Sequence, residues 1–143
     1  MITIHEKLVE PPAHARRVEV VADRHTLAKT RWRGTAADGT DFGFDLHEPL
    51  RHDDAFHEQD GVLYVIRQTP EAVIEVCGIS GKTEAAQIGW AIGNMHHAIE
   101  VLPDCIRVVD DPVLRQLFAK MGLDVKHHES IFQPAKLGPT HAH

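Results

Sequence analysis

The chain has 143 residues, 43 % of them hydrophobic and 25 % charged, with a formal net charge of −6 when histidine is neutral. That composition supports a packed core and excludes wholesale disorder, and the length suits one ordinary domain or two small ones. The negative balance opposes binding to phosphate backbones, and no apolar run approaches the roughly 18–20 residues that cross a bilayer, so neither nucleic acid nor membrane is an expected partner.

The opening Met1-Ile2-Thr3-Ile4-His5-Glu6 has no basic stretch followed by an apolar one, so no signal peptide is expected, and the location is expected to be cytoplasmic and reducing. The first half then reads as β. Val18–Val21 is a short β-branched run, and Thr30-Arg31-Trp32-Arg33 alternates. Ala37-Asp38-Gly39-Thr40 supplies turn chemistry, and Asp41–Leu46 places Phe42, Phe44 and Leu46 on one face. Asp38-Gly39 is a strong hairpin signal, and Asp60-Gly61 is a second, leading into the apolar strand Val62–Ile66. Short strands between polar turns predict a small barrel or sandwich over residues 1–69.

Near Gln68–Glu71 the pattern changes. Ala72–Cys77 reads as a strand, Gly78–Gly81 as a turn, and Lys82 to about His97 as a helix. Ile99–Leu102 and Ile106–Val109 read as strands around Pro103-Asp104. Asp111-Pro112 starts a second helix, because aspartate caps an N-terminus well and proline suits the first helical position; Gly122 stops it. Val125–Phe132 is the last strand. The order β-α-β-β-α-β predicts a ferredoxin-like domain over residues 70–133. The fold class is therefore α+β, with an N-terminal all-β domain ahead of the ferredoxin-like one. Residues 134–143, with two prolines and no apolar period, are expected to be a mobile tail.

Twelve histidines against one tyrosine is the anomaly of the composition. Imidazole is the commonest protein ligand for borderline metals. The histidines are scattered, with pairs at His96-His97 and His127-His128 and an H-x-H at His141-Ala142-His143. On the predicted helix, Ala85, Ile88, Ile92 and Met95 form a core stripe with His96 at its edge, and His97 points about 100° away. Two histidines at a helix C-terminus are also favoured by the macrodipole alone. Gly89 and Gly93 form a flat strip, at about 1 kcal/mol of helix propensity each, which predicts a compensating close approach. A C2 dimer would duplicate a ligand lying near its axis. Two such imidazoles, with the tail histidines, would make an open, exchangeable site suited to delivery. Nitrogen ligation suits Ni, Cu or Zn, and the ligands alone do not choose among them.

Cys77 and Cys105 lack CxxC spacing and are expected to be small buried hydrophobes. No nucleophile elbow, HExxH, P-loop or dinucleotide fingerprint occurs. His52, Asp53, Asp54 and His57 are the best acid/base cluster and are expected to be a solvated loop, so no enzymatic activity is expected.

Gly93-Asn94-Met95-His96 resembles the G-N-R-H motif of the UreE family of urease accessory proteins. Asp111–Leu114, Met121–Val125 and Phe132-Gln133-Pro134 follow that family's order, as do Lys29–Arg33, Asp38-Gly39, Leu50–Asp54 and Asp60-Gly61 in the first half. The resemblance implies an N-terminal partner- or peptide-binding β domain and a C-terminal metal-binding domain. It implies a homodimeric metallochaperone holding Ni(2+), or Zn(2+) or Cu(2+) in its place, between the two copies of His96. It further implies handover to the urease apoprotein through a complex with the urease GTPase accessory protein, with His141 and His143 assisting. Met95 replaces the usual arginine, Ala98 the usual proline, and His97 is an added candidate ligand. A copper- or zinc-buffering module unrelated to urease is the alternative.

Overall fold

The computed structural model describes residues 1–13 and 15–135; His141 and His143 lie outside them, as does most of the expected tail. The chain divides into two compact units, the first spanning Met1–Thr69 and the second beginning at Pro70.

The first unit contains β1 (Ile2–Ile4), β2 (Arg16–Ala22), the short helix α1 (Arg24–Leu27), β3 (Arg31–Thr35), β4 (Asp41–Asp45), β5 (Ala55–Gln59) and β6 (Val62–Gln68). They form two three-stranded sheets, ordered β1-β4-β3 and β2-β6-β5, with a bridge between Val20 and Ala36. Both Asx-Gly turns are where the sequence puts them: Asp38-Gly39 joins β3 to β4 and Asp60-Gly61 joins β5 to β6. The Tyr64 hydroxyl donates to Asp38 at 2.7 Å, tying the first turn to β6 and holding the Asp38 carboxyl below its ordinary value. Phe42, Phe44, Phe56, Tyr64 and Ile66 build the core, with Phe42 edge-on to Phe56 and Tyr64 at 5.0 Å each. The strands β1 and β5 and the helix α1 have no clear pattern in the sequence. β1 is only three residues long, and α1 depends on Asp23 accepting a hydrogen bond from the Thr26 N–H.

The second unit contains β7 (Glu71–Val76), α2 (Lys82–Asn94), β8 (Glu100–Val101), β9 (Ile106–Val109), α3 (Pro112–Lys120) and β10 (Val125–Ser130). The sheet order is β10-β7-β9-β8, and every neighbouring pair is antiparallel. Ile74, Val76, Ile106 and Val108 meet Ile88 and Ile92 of α2 and Leu114 and Phe118 of α3 in one core. Each such side chain contributes about 1.5–3 kcal/mol by its burial. Asp111 caps α3 by accepting from the Val113 and Leu114 N–H groups, with Pro112 in the first turn. Two strands are shorter than the sequence predicts: β8 keeps only Glu100–Val101, and β10 ends at Ser130. Beyond β10, Phe132 is fully buried and the Ala135 N–H donates to the Ile99 carbonyl at 2.8 Å, so the chain returns to the start of β8.

The strand register also lines up Lys126, Glu75, Arg107 and Glu100 across all four strands, with alternating sign. Arg107 Nε donates to Glu75 at 2.9 Å, and Arg107 Nη1 lies 3.6 Å from Glu100. Among the described residues no helix is long and apolar enough to cross a membrane.

Candidate metal centre

The helix predicted to run to about His97 stops at Asn94. Met95 is its C-cap, and His96 follows with φ 61°, in the left-handed region. The His96 N–H donates to the Gly93 carbonyl at 2.9 Å, and the His97 N–H donates to the Ile92 carbonyl at 3.4 Å. These are the paired 5→2 and 6→1 bonds of a Schellman cap. His96 is therefore not a helical residue at the edge of a core stripe. The 100° separation that would keep adjacent helical side chains apart does not apply to His96 and His97. Glycine is the ordinary occupant of this position, and an L-residue there costs roughly 1 kcal/mol or more, less for His than for most. The sequence concealed the cap because the two left-handed formers nearby, Gly93 and Asn94, sit earlier, inside the helix.

The cap sorts three side chains by environment. Met95 packs against the helix–sheet core, His97 is half-buried, and His96 is exposed. An apolar residue, Met95, seats the turn, and the histidine beyond it is left in solvent. Among the described residues, none makes the expected compensating approach to the glycine strip. A Cβ added at Gly89 or Gly93 would meet nothing within 4 Å. Beside the strip, Trp90 is 71 % exposed and lines an open groove of about 490 Å³ with Ala86, Gln87, Ala91 and Met121.

His127 and His128 are both exposed, and His128 Nε2 lies 3.6 Å from the Glu75 carboxylate. The His52–His57 segment is more ordered than a solvated loop. His52 Nδ1 accepts from the Gln68 N–H at 3.1 Å, Asp54 accepts from the Arg51 N–H at 2.8 Å, and His57 stands edge-on to Phe42. Cys77 and Cys105 are half-buried and both donate to Glu75, so they are not simple apolar fillers. Among the described residues, no group of three or more His, Cys, Asp or Glu side chains is arranged to hold a metal ion. His96 and His97 are consecutive residues of the cap, one exposed and one half-buried, while His141 and His143 lie outside the described residues.

The family profile "UreE urease accessory protein, C-terminal domain" matches residues 71–143. The urease accessory protein UreE 2 of Pseudomonas syringae pv. syringae (strain B728a) is 30 % identical over 141 residues, covering 94 % of this chain and 81 % of that protein. The urease accessory protein UreE of Paracoccus denitrificans (strain Pd 1222) is 30 % identical over 136 residues, covering 94 % and 84 %. That of Pseudomonas fluorescens (strain SBW25) is 29 % identical over 137 residues, covering 94 % and 81 %. A family profile spanning the whole second unit, and relatives collinear with nearly the entire chain, place this protein in the UreE family of urease accessory proteins.

Proposed function

We propose that this protein is a cytoplasmic nickel carrier for urease maturation, and that it holds its cargo ion between the His96 imidazoles of two copies in a homodimer. The observation that carries this reading is His96 itself. It is an exposed histidine held with positive φ at a helix cap, where glycine would be less strained. Glu10, Asp53 and Asp60 also hold positive φ, and among these described residues His96 is the imidazole and the one that closes a helix cap, the place where strain at a ligand-type side chain points to function. The open glycine strip and the exposed Trp90 beside it support a partner surface on α2, and a twofold axis there supplies a second imidazole without further ligands.

The tail fits the same centre. Ala135 is bonded to Ile99, which follows His96 by three residues and so lies within about 11 Å of it along the chain. His141 and His143 follow Ala135 by six and eight residues, contour lengths of roughly 20 and 27 Å. The contour length is therefore sufficient for either imidazole to serve an ion at His96, and His97 is the next residue in the chain. We assign residues 70–133 as a ferredoxin-like metal-binding domain, supported by the βαββαβ order and the β10-β7-β9-β8 sheet. Residues 1–69 are assigned as the domain that engages partners, and residues 134–143 as the ligand-bearing tail. The partners in this reading are the urease apoprotein and the urease GTPase accessory protein. An exposed, nitrogen-ligated ion leaves by ligand exchange with an acceptor, which suits delivery and requires no turnover by the carrier.

Equilibrium dialysis tests the reading. The tight site should hold one nickel ion per two chains and vanish in His96→Ala. Tight nickel binding by His96→Ala, or one tight ion per chain in the native protein, overturns it.

A further inference from the structure

The face of the second sheet opposite its helices carries two thiols that the nickel reading does not use. Val76 of β7 pairs with Ile106 of β9 in antiparallel register. One step further along that register sets Cys77 opposite Cys105. The outer neighbours hold both backbones in strand-like positions. The Cys77 N–H donates to the Asp124 carbonyl on the β10 side, and the Cys105 carbonyl accepts from the Leu102 N–H on the β8 side. The side chains share a face, because both thiols donate to one carboxylate: Cys105 to Glu75 Oε1 at 3.2 Å and Cys77 to Glu75 Oε2 at 3.7 Å. Directly opposed residues of an antiparallel pair have Cα atoms about 4.5 or 5.5 Å apart. Both spacings fall in the range of about 4.4–6.8 Å that a disulfide spans.

We propose that Cys77 and Cys105 are a redox modification site, a cross-strand dithiol that closes to a reversible intrachain disulfide and clasps the segment carrying α2 and His96. With a low-molecular-weight disulfide as oxidant, one cysteine thiolate attacks a sulfur of that disulfide and expels one small thiolate. The second cysteine thiolate then attacks the mixed disulfide at the protein sulfur and expels the other. Two protein S–H bonds and one small-molecule S–S bond are lost. One protein S–S bond forms, two small thiols are released, and the electrons balance.

The surroundings set when this happens. Burial, and then Glu75, push the Cys105 thiol up to about 11, and burial likewise raises Cys77. Facing the pair are Glu75 on its own strand, Arg107 on β9, Glu100 on β8, and Asp124, Lys126 and His128 at β10. Arg107, and then the Cys105 S–H, hold Glu75 at about 2, so Glu75 is an acceptor of hydrogen bonds and not a base for the thiols. The pair therefore stays as thiols near neutrality, where protonated sulfur is a poor metal ligand and does not compete for the cargo. Closure accelerates with pH.

The test uses the full chain, free of metal, exposed to oxidised glutathione at pH 7 and pH 9, then alkylated, digested without reductant and analysed by mass spectrometry. The expected product is one intrachain cross-linked peptide pair joining Cys77 to Cys105. It forms at a rate that rises about tenfold per pH unit between the two conditions and reverts with dithiothreitol, and the ratio of cross-linked pair to glutathione adduct exceeds that in the urea-unfolded chain, because the fold holds the second thiol beside the first. In Cys77→Ser or Cys105→Ser, only a glutathione adduct on the remaining thiol is expected. Two free thiols at pH 9, separate glutathione adducts without a cross-link, a cross-link between chains, or a ratio of cross-link to adduct no higher than in the unfolded chain each overturns the proposal.

Discussion

Helices α2 and α3 end in the same backbone device with different residues in it. At α3, Met121 is the cap, Gly122 has φ 68°, and the Leu123 N–H closes on the Phe118 carbonyl at 3.1 Å. Leu123 packs, half-buried, against the core cluster that contains Phe118, the usual apolar closure of this cap. At α2, Met95 is the cap, His96 has φ 61°, and the corresponding bond from His97 is longer, 3.4 Å. The α3 end follows what stability favours, a glycine in the left-handed position and leucine over the last turn. The α2 end puts histidines in both places. One unit therefore contains its own control: the fold can make this cap without strain, and at α2 it does not.

The largest effect that tests this contrast is His96→Gly. Nickel affinity at the tight site should fall by roughly 100-fold or more, ~2.8 kcal/mol, while the fold gains about 1 kcal/mol by relieving the left-handed residue. Calorimetric titration and thermal melting read the two changes separately. A variant that becomes more stable and keeps its nickel removes the functional reason for the strain.

A change away from both caps calibrates the scale. Glu75→Gln should cost about 2 kcal/mol at neutral pH by weakening its bond from Arg107. Glu75 is held at about 2, below its ordinary 4.5, so its contribution is fully present above pH 4.5 and fades as pH falls through 2. Urea denaturation of both proteins across that window should show the gap closing in acid. Nickel stoichiometry at neutral pH should be untouched.

Gly122→Ala should destabilise by about 1–2 kcal/mol, because it forces at α3 the strain that His96 carries at α2. Its nickel binding should stay native, which denaturation and dialysis together would establish. The smallest effect is expected at Gly93→Ala. With open space around the added methyl, the dissociated chain should gain up to about 1 kcal/mol. Sedimentation equilibrium should show a weaker dimer if the partner approaches there, and unchanged association would move the interface elsewhere on α2.

The sequence disclosed those parts of the fold that rest on local chemistry. Asp38-Gly39, Asp60-Gly61 and Asp111-Pro112 each specify a turn or a cap with their own side chains, and all three are found in place. The i, i+4 pair Ile88 and Ile92 marks the buried face of α2. Features that depend on distant partners were not legible. Residues Ile2–Ile4 become a strand only by pairing with β4, and the Cys105 thiol meets Glu75 only once β7 and β9 are aligned. The motif histidine could be picked out, but its conformation could not, because a left-handed histidine leaves no glycine to announce it.

The cap at His96 also bears on entropy. Ordering a mobile backbone costs about 1–2 kcal/mol per residue, and immobilising one side chain about 0.5–1.5 kcal/mol. At His96 the backbone is already pinned by the bonds to Gly93 and Ile92 before any ion arrives. In the proposed carrier, capture there would have only the imidazole's own two torsions left to freeze, since the ordering of the peptide around it was completed when the domain folded.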